Sequence, residues 1–124
     1  MVSIFLMCRL MGLSHVNYVT LLPKSITTAI GMGVSEEAGG IVTLTVMSII
    51  LTGVIGNVLG ELVFRITGVR HPIARGLALG TSAHAIGTAK ALELGEIEGA
   101  MSSLSIAVAG LMTVIAVPIA ANLI

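Results

Sequence analysis

The sequence predicts an all-α, multi-pass transmembrane bundle with discontinuous helices, and three observations lead to this fold class. Only 10% of the 124 residues are charged while 56% are hydrophobic, which leaves too few polar groups to cover a domain in water. Residues 38–60 and 99–124 carry no charge, and as helices both stretches exceed the roughly 30 Å of bilayer hydrocarbon. Helix-breaking and hydroxyl residues interrupt two further segments. We therefore expect a single integral membrane domain, residues 1–124, in the cell (inner) membrane.

Composition also excludes several classes of function. A net charge of zero gives no surplus of basic groups for phosphates, so no nucleic-acid partner is expected. The single cysteine, Cys8, excludes an internal disulfide and a thiolate zinc site. The three histidines lack metal-ligand spacing, and the chain contains no aspartate to orient a catalytic histidine. The sequence thus predicts no enzyme, no catalytic residue, no metal and no cofactor.

The N-terminal half contains one long apolar helix. Residues 1–22 are apolar but interrupted, as in a short or partial transmembrane helix, and the proline- and glycine-bounded segment 22–33 is too short to span. An acidic turn is predicted over residues 34–40. A transmembrane helix follows over residues 41–64, where Glu61 is expected to pair with Arg65.

The C-terminal half contains a glycine-interrupted helix and a second long apolar helix. A basic loop, residues 65–72, places Pro72 in the first turn of the next helix. Glycines interrupt that helix over residues 73–92, and a second acidic turn covers residues 92–99. The last transmembrane helix is predicted over residues 100–124, with a kink at Pro118.

Loop charges predict the orientation. Arg65, Arg70 and Arg75 cluster around one connection, which the positive-inside rule places in the cytoplasm. If every helix crosses the membrane, both acidic turns then lie outside and the C-terminus is cytoplasmic.

Small residues recur at helical spacing on two predicted helices. In lipid such residues let helix backbones approach closely, so they are interpreted as helix-packing positions. They are Ser48, Thr52, Gly56 and Gly60 on the first helix, and Gly76, Gly80, Ala83 and Gly87 on the second.

Two segments, residues 23–28 and 80–90, combine hydroxyls, a lysine and helix breakers. Paired interrupted helices are typical of transporter binding sites, where half-helix N-termini hold an anion. In the second segment Thr81 or Ser82 could cap a new half-helix, with His84 and Thr88 one turn apart on its face. The alternative is a glycine-kinked helix whose hydroxyls bond their own carbonyls.

The charged and polar side chains near these segments also have two interpretations. Arg75 and Lys90 either attract an anion or extend to the membrane surfaces. His84 either couples proton movement or hydrogen-bonds a neighbouring helix. Asn57 is either a ligand or a packing hydrogen bond.

The broken segments carry a resemblance to a known family. LLPKSITTAIGMGVSEEAGGIVTLT and RHPIARGLALGTSAHAIGTAKALELGEIEGAMSSLSIAVAGL resemble the C-terminal half of the LrgB/CidB family, and the similarity runs from about Leu10 onward. That family includes antiholin-like proteins and the plastid glycolate/glycerate translocator. The chain lacks the family's N-terminal helices, and it has Ala29 where a proline is expected.

The resemblance implies one half of an inverted-repeat-like transporter fold, part of a carrier for small carboxylates such as glycolate, glycerate or pyruvate. The alternative that it implies is a holin- or antiholin-like modulator of murein hydrolase activity and autolysis. A second copy of the chain or an LrgA-like membrane protein would be its partner, and the chain would be a truncated, split or unusually short member. The expected substrate-binding residues are Lys24, Ser25, Thr27, Thr28, Thr81, Ser82, His84, Thr88 and Lys90.

Overall fold

The computed structural model describes residues 2–123, and these residues form helices and turns without any strand. The helices are α1 (Val2–Leu10), α2 (His15–Leu21), α3 (Thr28–Glu37), α4 (Val42–Thr67), α5 (Pro72–Leu94) and α6 (Glu96–Ala121). The predicted all-helical membrane fold is confirmed.

Two of these helices, α4 and α6, are long and apolar enough to cross a membrane. Each has 26 residues, about 39 Å at a rise of about 1.5 Å per residue. α4 ends at Gly68, whose φ of 71° is the left-handed conformation that commonly closes a helix. α6 begins earlier than predicted, and it continues through Pro118. The predicted acidic turn at residues 92–99 is therefore mostly helical, and Gly95 alone separates α5 from α6.

Helix α5 is a hairpin of two arms that reverses at His84. The backbone there has φ 43° and ψ −135°, outside the helical range. Arg75, in the first arm, has its guanidinium carbon 5.7 Å from the Phe64 ring centroid, while Lys90 Nζ in the second arm is 3.5 Å from Glu61 Oε2. In a straight helix the Cα atoms of these two residues would be roughly 22 Å apart along the axis. Because both contact the last turns of α4, the chain must turn back between them.

Contacts between the two arms confirm the reversal. A Cβ on Gly87 would lie 2.7 Å from Leu79 O, although eight residues of one continuous helix would separate these positions by about 12 Å. Leu79 of the first arm and Ala91 of the second also share a buried cluster with Phe64. We call α5 hairpin 2, with a first arm over residues 72–83 and a second arm over residues 85–94. The predicted interruption of this helix is confirmed, and Pro72 lies at its start as predicted.

A shorter hairpin, hairpin 1, is formed by α2, the turn at residues 22–27 and α3. Thr20 Oγ1 accepts a hydrogen bond of 2.8 Å from Ile41 N, so the end of α2 lies beside the start of α4. Ser35 Oγ in α3 lies 2.6 Å from Thr45 Oγ1, so the end of α3 returns to the same region. The segment predicted as an acidic turn, residues 34–40, is helical as far as Glu37, because its last helical turn packs on α4.

The two hairpins enter the bundle from opposite ends. Hairpin 2 enters where α4 ends and α6 begins, which we call the arginine end, since Gly76 packs directly on Glu98. Hairpin 1 enters where α4 begins and α6 ends, which we call the C-terminal end, since Tyr18 Oη donates to Ala120 O over 2.9 Å. Each hairpin is followed by one 26-residue helix, so residues 15–121 form two hairpin–helix units of opposite orientation. The opposed units therefore lie within this chain, whereas the sequence prediction made the whole chain one half of such a pair.

The orientation prediction needs correction for the same reason. Hairpin 2 does not cross the bundle, so the turn at Gly95 lies at the arginine end together with residues 65–75. Between that turn and residue 123, α6 is the one helix long and apolar enough to cross a membrane, and it carries the chain to the opposite end. A cytoplasmic arginine loop and a cytoplasmic C-terminus therefore cannot both hold.

Helix α1 completes the hydrophobic core at the C-terminal end. Ile4 and Cys8 are buried against Tyr18 and Val117, and the Phe5 and Tyr18 rings meet edge to face at 6.1 Å. This packing of α1 and α6 on hairpin 1 fixes the position of its turn.

Candidate substrate site between the hairpin tips

A small cavity lies where the tips of the two hairpins approach each other. Its volume is about 140 Å³, and hairpin 1, hairpin 2, α1 and α6 all contribute to its wall. We call it the tip cavity. It is lined by Ile4, Leu22, Pro23, Ser25, Ile26, Thr81, Ala109 and Thr113.

The turn of hairpin 1 holds a positive charge next to a residue of the cavity wall. Lys24 Nζ donates to Ser25 Oγ over 3.0 Å, and Ser25 lines the cavity wall. Among residues 2–123, no carboxylate forms an ion pair with Lys24. All six glutamates lie toward the two ends of the bundle, at positions 36 and 37 and at 61, 93, 96 and 98. Within the described part of the chain, the ammonium group of Lys24 thus has no carboxylate counter-ion.

His84 holds the tip of hairpin 2 against α4. The side chain is only 2% exposed, and Nε2 donates to Ile49 O over 2.9 Å. Gly53 leaves the space for the ring, since a Cβ there would lie 2.7 Å from His84 Cε1. Asn57 adds a second bond, from Nδ2 to Ile86 O over 2.8 Å. Both side chains therefore make helix-packing hydrogen bonds, the second interpretation in each case.

The hydroxyls of hairpin 2 bond mainly to their own arms. Thr81 and Ser82 donate to Leu77 O and Ala78 O over 2.7 and 2.6 Å, so neither caps the second arm, and that prediction is wrong. Both residues lie in the last turn of the first arm, so their hydroxyls reach the carbonyl oxygens of the turn before it. Thr88 Oγ1 donates to His84 O and lies 2.7 Å from Ser102 Oγ of α6, so it links the second arm to α6.

In hairpin 1, Thr27 is the N-cap residue of α3 and Thr28 is its first residue. The Thr27 side chain makes no capping hydrogen bond. Neither threonine lines the tip cavity.

Lys90 and Arg75 lie at the arginine end, away from the tip cavity. Lys90 Nζ contacts Glu93 at 3.1 Å and Glu61 at 3.5 Å, and Glu61 in turn accepts a 2.7 Å hydrogen bond from Arg65, the pair predicted from the sequence. Arg75 Nε donates to Val69 O over 3.0 Å. Among the residues expected to bind substrate, the structure therefore places Ser25 and Thr81 in the wall of one cavity, with Lys24 bonded to Ser25 beside it, and places Lys90 elsewhere.

The glycines singled out as packing positions meet neighbouring elements closely. Gly56 packs on Ala83 and Gly60 on Leu79 of hairpin 2, while Gly76 packs on Glu98 and Gly80 on Ser105 of α6. Gly87 packs on the first arm of its own hairpin. Ser48 and Thr52 donate to Thr45 O and Ser48 O within α4.

Sequence reasoning missed two features that bear on the site. Thr113 lines the tip cavity from the middle of α6, where its apolar neighbours made it look like an ordinary spanning residue. A buried hydroxyl cluster of Thr20, Ser35 and Thr45 ties hairpin 1 to α4. Neither feature has a local signal, whereas an internal repeat marks the two hairpin tips: SITTAIG at residues 25–31 and TSAHAIG at residues 81–87 place Ser25 and Thr81 at equivalent positions.

Other sites are less suited to a small ligand held within the bundle. A larger hollow of about 370 Å³ lies at the C-terminal end, between His15, Glu37 and Asn122. Within residues 2–123 no group of three or more His, Cys, Asp or Glu side chains is placed to hold a metal ion.

Comparison with known proteins gives one family. The model of the LrgB-like family matches residues 1–123 of the chain. No solved structure shows a significant match.

Named relatives cover nearly the whole chain. The holin-like protein CidB of Staphylococcus epidermidis is 45% identical over 118 residues, which is 95% of this chain and 52% of the relative. The antiholin-like protein LrgB of Bacillus cereus is 41% identical over 117 residues, which is 94% of this chain and 51% of the relative. The chain spans about half the length of these relatives.

Proposed function

The chain belongs to the LrgB-like family, and on that premise we propose that it is part of a carrier for small carboxylates such as glycolate, glycerate or pyruvate. The observation that carries the proposal is Lys24, a cation near the meeting point of the hairpin tips with no carboxylate partner in residues 2–123. An unpaired charge inside a membrane protein is costly and usually marks a ligand pathway. A substrate carboxylate would supply the missing counter-ion.

The tip cavity supports this substrate class in its size and its lining. Its volume of about 140 Å³ equals that of about five water molecules at roughly 30 Å³ each, which suits an acid of two or three carbons. Ser25, Thr81 and Thr113 supply hydroxyl groups, while the rest of the wall is apolar and consists of Ile4, Leu22, Pro23, Ile26 and Ala109. Such a site binds and releases its ligand without covalent chemistry, so the protein acts as a carrier and not as an enzyme.

The opposed hairpins suggest how the site is reached from both sides. Hairpin 1 separates the tip cavity from the C-terminal end, and hairpin 2 separates it from the arginine end. Small movements of one hairpin at a time would open the cavity alternately, as in carriers built from inverted repeats. The additional half of the relatives' length, an LrgA-like membrane protein or a second copy of the chain would provide the scaffold against which these units move.

The same proposal includes an orientation in the cell membrane. Three arginines lie within a few residues of the loop at the arginine end, so this end faces the cytoplasm by the positive-inside rule. The C-terminus then lies on the outer side.

Uptake by proteoliposomes containing the chain tests the proposal. We expect saturable uptake of labelled glycolate or pyruvate, and Lys24→Met should lower it at least about tenfold, because a charged hydrogen bond is worth about 1.5–3 kcal/mol. Arg9→Met, which removes an exposed cation at the end of α1, should change uptake less than about twofold. Entrapped carboxyfluorescein should stay inside the vesicles.

The second candidate function is a holin- or antiholin-like modulator of autolysis, which the names of the relatives favour. In that case the proteoliposomes would release the entrapped dye, and uptake would be no greater than in empty liposomes. Either result would contradict the carrier proposal. Gly56 and Gly60 are already covered by hairpin 2, so they do not offer a free seam for assembly of a pore.

A further inference from the structure

One hydroxyl on the long helices differs from nearly all the others. In α4, α5 and α6 the serines and threonines typically donate to a carbonyl three or four residues earlier, as Thr52, Ser82 and Ser103 do. This is the usual way in which a hydroxyl is satisfied in an apolar helix. Thr113, in the second half of α6, makes no side-chain hydrogen bond to any of residues 2–123. Thr43 also makes none, but it is exposed in the first turn of α4.

The unpaired hydroxyl belongs to the wall of the tip cavity. Thr113 lines it together with Ser25 of hairpin 1 and Thr81 of hairpin 2, so three separate elements each contribute one hydroxyl. Thr81 already donates its proton to Leu77 O, and Ser25 already accepts from Lys24. Thr113 alone has both its donor and its acceptor available. Because no group within residues 2–123 takes up its proton, the Thr113 hydroxyl is free to bond a ligand in the cavity.

We propose that Thr113 determines the specificity of the tip cavity by donating a hydrogen bond to an oxygen on the carbon next to the substrate carboxylate. This inference rests on the proposed carrier function. Lys24 and Ser25 hold the carboxylate from hairpin 1, and the Thr113 hydroxyl on α6 binds the 2-oxo or 2-hydroxy oxygen. Acids that lack this oxygen, such as acetate and propionate, leave Thr113 unpaired and therefore bind less well.

The role of Thr113 can be tested by pairing substrates with and without the second oxygen. Proteoliposomes would contain the unsubstituted chain, Thr113→Val or Thr113→Ser, and the inhibition constants of glycolate, acetate, pyruvate and propionate would be measured against labelled glycolate. Valine keeps the shape of threonine and removes the hydroxyl. Thr113→Val should therefore raise the inhibition constants of glycolate and pyruvate about three- to tenfold. The inhibition constants of acetate and propionate should change less than about twofold. Thr113→Ser, which keeps a hydroxyl, should restore the preference for glycolate over acetate and for pyruvate over propionate.

Thr67→Val is the matched control, because Thr67 donates to Val63 O at the exposed end of α4. It should leave all four constants unchanged. An equal loss of affinity for all four acids in Thr113→Val would indicate a structural role for Thr113. No loss of affinity for any acid would indicate no role. Both results overturn the inference while leaving the carrier function intact. Absence of saturable uptake by the unsubstituted chain would overturn the carrier function and this inference together.

Discussion

Gly80→Ala is expected to lower the free energy of unfolding by about 1–3 kcal/mol, the usual cost of adding a group to a filled interior. A Cβ on Gly80 would collide with Ser105 Oγ and Ser102 O, and would lie 2.9 Å from Ser102 Oγ. These atoms belong to α6, and Ser102 and Ser105 are nearly inaccessible to solvent. Since the backbone of α6 cannot yield as a flexible side chain does, the first arm of hairpin 2 must move away. The measurement is unfolding by sodium dodecyl sulfate in mixed micelles.

Gly33→Ala is the matched control for this substitution. Gly33 lies within α3, and no atom would come within 4 Å of its new Cβ. Alanine has the higher helix propensity, so Gly33→Ala should leave stability unchanged or raise it by up to about 1 kcal/mol. Equal effects at the two positions would contradict the close approach of hairpin 2 to α6.

His84→Gly is expected to be more stable than His84→Ala by about 1–3 kcal/mol. Both substitutions remove the hydrogen bond from Nε2 to Ile49 O, so they differ mainly in the backbone. At φ 43° and ψ −135° a side chain is strained while glycine is not, and such strain costs about 1–3 kcal/mol. In a continuous helix the order would be reversed, because glycine is about 1 kcal/mol less favourable than alanine there. The sign of the difference therefore reports the conformation of the hairpin tip.

Ala89→Gly provides the comparison within the same hairpin. Ala89 is exposed in the second arm and has ordinary helical backbone angles, so glycine should destabilise the protein there by up to about 1 kcal/mol. If the glycine variant were less stable than the alanine variant at both positions, the reversal of the chain at His84 would be wrong. Unfolding in mixed micelles is again the measurement.

Much of the fold could be predicted because its signals are local. The uncharged stretch before Glu61 and the one after Glu98 give α4 and α6 within a few residues, since lipid-facing helices must be apolar along their whole length. Proline and glycine likewise mark the two interruptions. A chain that bends and a chain that turns back have the same local pattern, however, so the hairpin at His84 could not be distinguished from a kink.

The candidate site was predicted only in part for the same reason. Lys24 and Ser25 adjoin a proline in an obvious break, so they could be recognised from the sequence. Lys90 looked equivalent because it lies just past the second break, but the reversal of the chain carries it back to Glu61 at the arginine end. Thr113 is brought to the cavity by the packing of α6 on both hairpins, which no pattern along α6 reveals.

The central claim, that two hairpins enter the bundle from opposite ends, is tested most directly by the accessibility of single cysteines from each side of a membrane. The four single cysteines are introduced in a Cys8→Ser background, and all four positions are exposed. Arg70→Cys and Glu96→Cys flank hairpin 2, while Glu36→Cys and Asn122→Cys lie at the C-terminal end. The structure predicts that a membrane-impermeant maleimide labels Arg70→Cys and Glu96→Cys from one side, and Glu36→Cys and Asn122→Cys from the other. Labelling of Arg70→Cys together with Asn122→Cys, with Glu96→Cys on the opposite side, would mean that α5 crosses the membrane and would contradict the opposed hairpins.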